Sequence, residues 1–205
     1  DTDLFCAFDK QNIYRVRFLW HKDPELPKGL DVCAIPGGFS YGDYLRTGAI
    51  ASKSPIIKSI IKFANSGGLI LGICNGFQIL CETGLLPGVL LRNKSTKFIC
   101  KNQILKVCNS YTPFSKLYHE NEEVNFPIAH HDGNYFVDMD TKKMIEDNNQ
   151  IAFKYIKNNP NGSVDNIAGV YSKNHRILGL MPHPERRVSS DIGLDGERLF
   201  RSLIV

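Results

Sequence analysis

The sequence is poor in several features that announce large protein classes. Its longest apolar stretches, such as Leu69–Ile73, fall far short of the roughly 20 residues that cross a bilayer. Asp1-Thr2-Asp3 does not open a basic segment leading into an apolar one, so no secretory leader is expected. Neither G-x-x-x-x-G-K-[ST] nor G-x-G-x-x-G occurs, which leaves the chain without a recognisable phosphate loop of its own. Six cysteines are present but no C-x-x-C pair, so neither a zinc knuckle nor a thioredoxin-type motif is offered. The excess of 25 basic over 21 acidic residues is only +4 and is scattered, too little for a nucleic-acid footprint.

What is present is an ordinary globular composition, 42% hydrophobic and 22% charged over 205 residues. Such a length fits one domain, residues 1–205, and buries about 70% of the unfolded surface. A chain this rich in core residues has no need of disulfides, so a reduced, cytoplasmic protein is expected. The N-x-S sequons at Asn93 and Asn161 are then chance matches. A single domain leaves little room for two large active sites, and any complicated reaction calls for a partner.

Short apolar runs alternate with helical patterns, which predicts an α/β fold: a flavodoxin-like, doubly wound, mostly parallel sheet with a smaller antiparallel strand region. Strands are expected at Ile13–Trp20, which alternates with period two, and at Val32–Ile35, Leu69–Ile73, Lys97–Val107, Phe126–Ala129 and Ile151–Ile156. Ile167–Tyr171 and Ile177–Met181 read as a strand pair. Helices are expected at Lys53–Asn65, Asn75–Glu82, Asp140–Asp147 and Asp195–Leu203. Asp3–Gln11 reads as the end of a first helix, so the central strand that opens such folds is expected to lie before residue 1.

Three segments carry chemistry. Gly72-Ile73-Cys74-Asn75-Gly76 follows a strand and opens a helix, the pattern of a nucleophile elbow with cysteine at its apex. The helix N-terminus beneath it favours a thiolate. Met181-Pro182-His183-Pro184-Glu185 supplies a base and its orienter. In an extended segment His183 and Glu185, two residues apart, fall on one side, so the carboxylate can hold one imidazole N–H while the other nitrogen faces a thiol. Pro36-Gly37-Gly38-Phe39-Ser40-Tyr41-Gly42-Asp43 is a glycine turn whose Gly38 N–H, beside that of Asn75, would complete an oxyanion hole. All three lie at C-terminal ends of expected strands, where open α/β sheets place their sites. Cys81 reads as core, and His21, His119 and His175 as solvated. His130-His131-Asp132 has no further ligands at metal-site spacing, so no metal is expected.

With G-I-C-N-G-F-Q-I-L (Gly72–Leu80), G-G-F-S-Y-G-D-Y-L-R (Gly37–Arg46) and L-M-P-H-P-E-R (Leu180–Arg186), most of the chain resembles the class-I glutamine amidotransferase family. The resemblance implies Cys74 as nucleophile, His183 as acid and base, Glu185 as its orienting partner, and the Gly38 and Asn75 N–H groups as oxyanion donors. It also implies that Gln78 helps to shape a glutamine pocket. The nearest type within the family hydrolyses glutamine and passes the ammonia to a separate synthetase subunit, with a small bridging subunit in the complex. There ATP and Mg2+ serve the synthetase, which turns formylglycinamide ribonucleotide into formylglycinamidine ribonucleotide in de novo purine synthesis; the glutaminase subunit needs no cofactor. Two departures stand out. The family's opening strand and Ser-Asn-Cys-Asp turn are reduced to Asp1-Thr2-Asp3, and its Ala-His-Gly-Glu-Gly is here Ala129-His130-His131-Asp132-Gly133. An amidotransferase serving another ammonia acceptor, and a non-catalytic module of the same fold, remain open alternatives.

Overall fold

The computed structural model describes residues 1–204. In chain order the elements are α1 (Thr2–Asp9), β1 (Val32–Ile35), α2 (Ile57–Asn65), β2 (Leu69–Ile73), α3 (Asn75–Glu82), β3 (Val89–Leu91), β4 (Ile99–Val107), β5 (Glu123–His130), β6 (Asn134–Phe136), α4 (Met139–Asp147), β7 (Ile151–Tyr155), β8 (Ile167–Tyr171), β9 (Ile177–Leu180) and α5 (Glu197–Ser202). The α/β class expected from the alternation is the one observed.

One seven-stranded sheet has the order β1-β2-β9-β8-β7-β4-β5, and β3 pairs with β6 in a small antiparallel sheet. Strands β1, β2 and β9 run parallel; β8, β7, β4 and β5 continue the sheet in antiparallel fashion. Register matters for the site. Ile35 lies beside Gly72, and Ile73 beside Leu180, so the three parallel strands end at one level. The glycine turn, Cys74 and the His183 segment leave the sheet there together.

Local sequence explains most boundaries. Every residue of β2 is buried, so its uninterrupted apolar run has neighbours on both faces of the sheet. In α2 the buried residues Ile57, Ile60 and Ala64 follow helical spacing along one face. That helix starts later than the pattern over Lys53–Asn65 predicts. Pro55 forces Ser54 into an extended conformation (φ −61°, ψ 146°), so a 3-10 turn at Ala51–Lys53 is separated from α2. The last helix is likewise shorter than Asp195–Leu203. Helix α1 buries Leu4, Ala7 and Phe8 and sets the Phe8 ring edge-on to Phe200 of α5, 5.1 Å between centroids.

The strand expected at Ile13–Trp20 does not form. The segment carries no ladder bonds, and its alternation holds only in part: Tyr14, Val16 and Leu19 pack on the core while Ile13, Phe18 and Trp20 are exposed, with the period of two broken at Arg17–Phe18. Period-two burial arises wherever an extended chain lies on an apolar surface, whether or not another strand pairs with it. Among the described residues no helix is long and apolar enough to cross a membrane.

Candidate active site

The turn from β2 into α3 is held by glycines that no larger residue could replace. A Cβ on Gly76 would stand 2.1 Å from the Ile35 carbonyl oxygen, and one on Gly72 would stand 2.8 Å from the carbonyl carbon of Gly76. This close approach lets the chain reverse within one residue. Cys74 takes the whole strain of that reversal, with φ 50° and ψ −104°. A non-glycine residue there costs about 1–3 kcal/mol, which the buried strand and helix on either side impose. The Cys74 N–H donates to Leu180 O at 2.8 Å, anchoring the apex to β9, and its Sγ lies 3.8 Å from the Ala129 carbonyl of β5. The side chain thus sits at the positive end of α3, as the elbow pattern predicted.

His183 and Glu185 meet as the sequence predicts, but not through an extended segment. His183 is extended (φ −109°, ψ 81°) and Pro184–Arg186 then close a 3-10 turn, with proline's fixed φ at the first position. The turn brings His183 Nδ1 to 2.7 Å from Glu185 Oε1. Both residues are buried, at 4% and 6% exposure, so the pair is shielded from solvent. The His183 N–H donates to Pro127 O at 2.8 Å, which fixes the segment to β5. With Nδ1 directed at the carboxylate, Nε2 is left without a partner among the described residues, as is Glu185 Oε2. Burial alone would lower the imidazole pKa, but the nearby Cys74 thiol and the bonded, charged Glu185 carboxylate outweigh it and raise it to about 10.

The glycine turn faces both groups. A Cβ on Gly37 would stand 2.8 Å from His183 Cε1 and 3.5 Å from Cys74 Cβ, so this residue is the floor on which the two side chains rest. Gly38 has φ 149°, a conformation that side chains rarely permit. Neither the Gly38 N–H nor the Asn75 N–H finds an acceptor among the described residues. Such unspent donors beside a thiol suit a developing oxyanion. Pro36, Gly37, Gly38, Cys74, His183 and Glu185 share the lining of one cavity of about 420 Å3. Asp1, Asp3 and Leu4 of the α1 end also reach it, and Arg186 donates to Asp3 at 3.1 Å across its rim.

Gln78 lies behind this cavity, at 4% exposure, and does not line it. Its Oε1 accepts from Asn75 Nδ2 at 2.7 Å and its Nε2 donates to Asp132 O at 2.7 Å, so both ends of its amide are occupied. Its influence on the site runs through Asn75.

Several residues were misjudged or missed from sequence. Asn93 and Asn161, noticed only as sequons, are almost wholly buried. Asn93 Nδ2 donates to Lys97 O and His130 O, while its Oδ1 takes His130 Nδ1 at 3.1 Å and the Gly133 N–H at 3.0 Å. Because the amide nitrogen is committed to two carbonyls, Oδ1 is the acceptor and His130 carries its proton on Nδ1. Burial first, then the charge on His183, pull the His130 pKa down to about 4. His175, expected to be solvated, places Nε2 3.1 Å from Asn148 O. No signal in one sequence distinguishes a buried asparagine hub from an exposed loop residue.

The six cysteines are free thiols, and burial pushes Cys33 up to about 12 and Cys81 well above its ordinary value. Among the described residues no group of three or more His, Cys, Asp or Glu side chains is placed to hold a metal ion.

Residues 8–192 match the CobB/CobQ-like glutamine amidotransferase domain. The chain is 52% identical to the phosphoribosylformylglycinamidine synthase subunit PurQ of Ruegeria sp. (strain TM1040), over 99% of this chain and 91% of that protein. It is equally identical, 52%, to the subunit of the same name from Cereibacter sphaeroides, over 100% and 91%. Among solved structures, that of PurLQS from Thermotoga maritima superposes with a TM-score of 0.90 at 42% identity, covering 100% of this chain and 91% of that one.

Proposed function

Because the chain belongs to the CobB/CobQ-like glutamine amidotransferase family, we infer that it is the glutaminase subunit of a phosphoribosylformylglycinamidine synthase. It hydrolyses glutamine to glutamate and ammonia, and works with a synthetase subunit and a small bridging subunit in de novo purine synthesis. The observation that carries the catalytic assignment is the meeting of Cys74, His183 and the Gly37–Gly38 turn on one cavity.

In this assignment His183, whose raised pKa keeps it protonated, already holds the proton of Cys74 in a thiolate–imidazolium pair, and the thiolate attacks the side-chain amide carbon of glutamine. The imidazolium is stabilised by Glu185, whose Oε1 lies 2.7 Å from Nδ1. The tetrahedral oxyanion is held by the Gly38 and Asn75 N–H groups. As the C–N bond breaks, His183 returns its proton to the leaving nitrogen, and ammonia departs. Water, deprotonated by His183, then hydrolyses the γ-glutamyl thioester and frees Cys74. ATP and Mg2+ belong to the synthetase, which converts formylglycinamide ribonucleotide to formylglycinamidine ribonucleotide; this chain needs no cofactor. Residues 1–205 act as one domain, and the reduced thiols and purine chemistry fit a cytoplasmic setting.

The test is Cys74→Ala in the assembled complex. It should abolish glutamine-dependent synthesis and leave ammonia-dependent synthesis intact. Loss of both activities would overturn the division of roles.

A further inference from the structure

The two oxyanion donors stand on different elements. The Gly38 N–H belongs to the turn after β1, and the Asn75 N–H opens α3. Their separation must be set by something that joins the two, and β1 does not do so, because its ladder with β2 ends at Ile35. Beyond it the chain is loosely founded. Tyr41, Asp43 and Leu45 all have positive φ, at 55°, 56° and 64°, and Tyr44 and Leu45 project into solvent. Two bonds within the segment, Gly42 N–H to Phe39 O and Tyr44 N–H to Tyr41 O, brace it only against itself.

One hydrogen bond crosses the gap. The Ser40 N–H donates to Asn75 Oδ1 at 3.3 Å, and among the described residues it is the only hydrogen bond between residues 36–45 and the remainder of the chain. The acceptor is itself held. Asn75 is 3% exposed, and its Nδ2 donates at 2.7 Å to Gln78 Oε1 one turn along α3. Gln78 in turn donates to Asp132 O in the turn after β5. This chain of amides cannot reverse. Asp132 O is a carbonyl and accepts only, so Gln78 Nε2 must face it, Gln78 Oε1 must face Asn75, and Asn75 Oδ1 must face Ser40.

We propose that the Asn75 side chain is a positioning residue that holds the glycine turn at the separation the oxyanion needs, so that one residue supplies a donor through its backbone and sets the other through its side chain. The proposal rests on the glutaminase function above and adds a specific role within it. The clamp acts where charge develops on oxygen, and therefore on the transition state, not on ground-state binding.

The experiment uses the full chain assembled with its synthetase and compares wild type with Asn75→Ala, which keeps the backbone N–H and removes the clamp together with its bond to Gln78. Wild-type glutamine hydrolysis is measured first; its absence would overturn the function itself and not this proposal. For N75A, kcat for glutamine should fall by about 10- to 100-fold, as for loss of part of an oxyanion hole, with KM nearly unchanged. Affinity for a γ-aldehyde analogue of glutamine, which forms a tetrahedral oxyanion on the thiol, should fall by a similar factor. Alkylation of Cys74 by iodoacetamide, which forms no oxyanion, should keep its rate. Ser40→Pro removes the same bond from the donor side and should reproduce the split; Phe39 (φ −128°, ψ 70°) already lies outside the helical region that a following proline disfavours. Unchanged kcat in N75A, or alkylation slowed in parallel with hydrolysis, would overturn the proposal. If N75A fails to fold, S40P alone decides by the same two criteria.

Discussion

Gly37 and His183 stand so close that a Cβ on residue 37 would lie 2.8 Å from the imidazole Cε1. The contact joins the end of β1 to the segment after β9, with Cys74 between them at the end of β2. Each of the three segments of the proposed site therefore limits the others: the turn fixes the ring, ring and thiol share one cavity, and the thiol's strand lies between its two neighbours.

Gly37→Ala tests that closeness. The added methyl has no open space and the buried ring cannot retreat freely, so His183 should move off its line to Cys74. Glutamine hydrolysis should fall by about 100-fold, the cost of a small misplacement of a catalytic group. Overpacking should lower stability by only about 1–3 kcal/mol. Steady-state kinetics with a denaturant titration on the same preparation separate the two effects. Near-normal hydrolysis would mean that the ring position is not limiting.

Glu185→Gln keeps the size of the side chain that faces Nδ1 but removes its charge. The imidazolium then loses its counter-charge, and kcat should drop by about 10³- to 10⁴-fold, as when a triad carboxylate is neutralised. The His183 titration, followed by NMR, should move down from about 10. The same raised pKa affects folding. A histidine raised in the folded state stabilises it fully below the ordinary value of 6.5, and that contribution is lost as pH rises through about 10. Cys74→Ala removes one of the two groups responsible, so its alkaline loss of stability should be shallower than that of wild type.

The sequence made the site legible because nucleophile elbow, base and glycine turn each need special residues next to one another. Glycine at 72 and 76 and proline at 184 leave a trace that survives without an alignment. The strand was equally clear at β2, where Leu69, Ile70 and Leu71 run between Gly68 and Gly72. Ile13–Trp20 misled because alternation reports which side chains touch the core and is silent on hydrogen-bonded neighbours. The amide chain from Ser40 to Asp132 was invisible for another reason. It joins residues 35 and 54 positions apart, and single polar residues carry no mark of the partner they will meet.

Asn93 and Asn161 show the same limit and give a stability test. Asn161 is fully buried; its Nδ2 donates to Gly133 O at 2.7 Å and to Tyr155 Oη at 3.2 Å, and its Oδ1 accepts from the N–H and Oγ of Ser163 at 3.1 Å and 2.7 Å. Asn161→Ala strands those partners without water, and should cost about 2–4 kcal/mol in urea denaturation. Asn93→Ala should cost about as much. A loss below about 0.5 kcal/mol in both would show that neighbouring groups re-pair.

His130 governs the acid side of the stability curve. Its ring is 1% exposed, Nδ1 is spent on Asn93, and Nε2 has no partner among the described residues, so a second proton would place an unpaired charge in the interior. Its pKa therefore lies lower in the folded chain than in the unfolded one, at about 4 against 6.5. The unfolded state takes up the proton first as pH falls. Stability should be intact above about 6.5, decline through the interval, and level off below about 4, with a total loss of about 3 kcal/mol from this group. His183 offsets little of it, since its own stabilising contribution is already nearly complete below 6.5. His130→Gln can donate to the same Asn93 oxygen but cannot titrate. Denaturation midpoints from pH 7 to pH 4 should thus fall less steeply in H130Q than in wild type, whatever its stability at pH 7. Parallel acid limbs would assign the loss to other groups, such as carboxylates held in ion pairs.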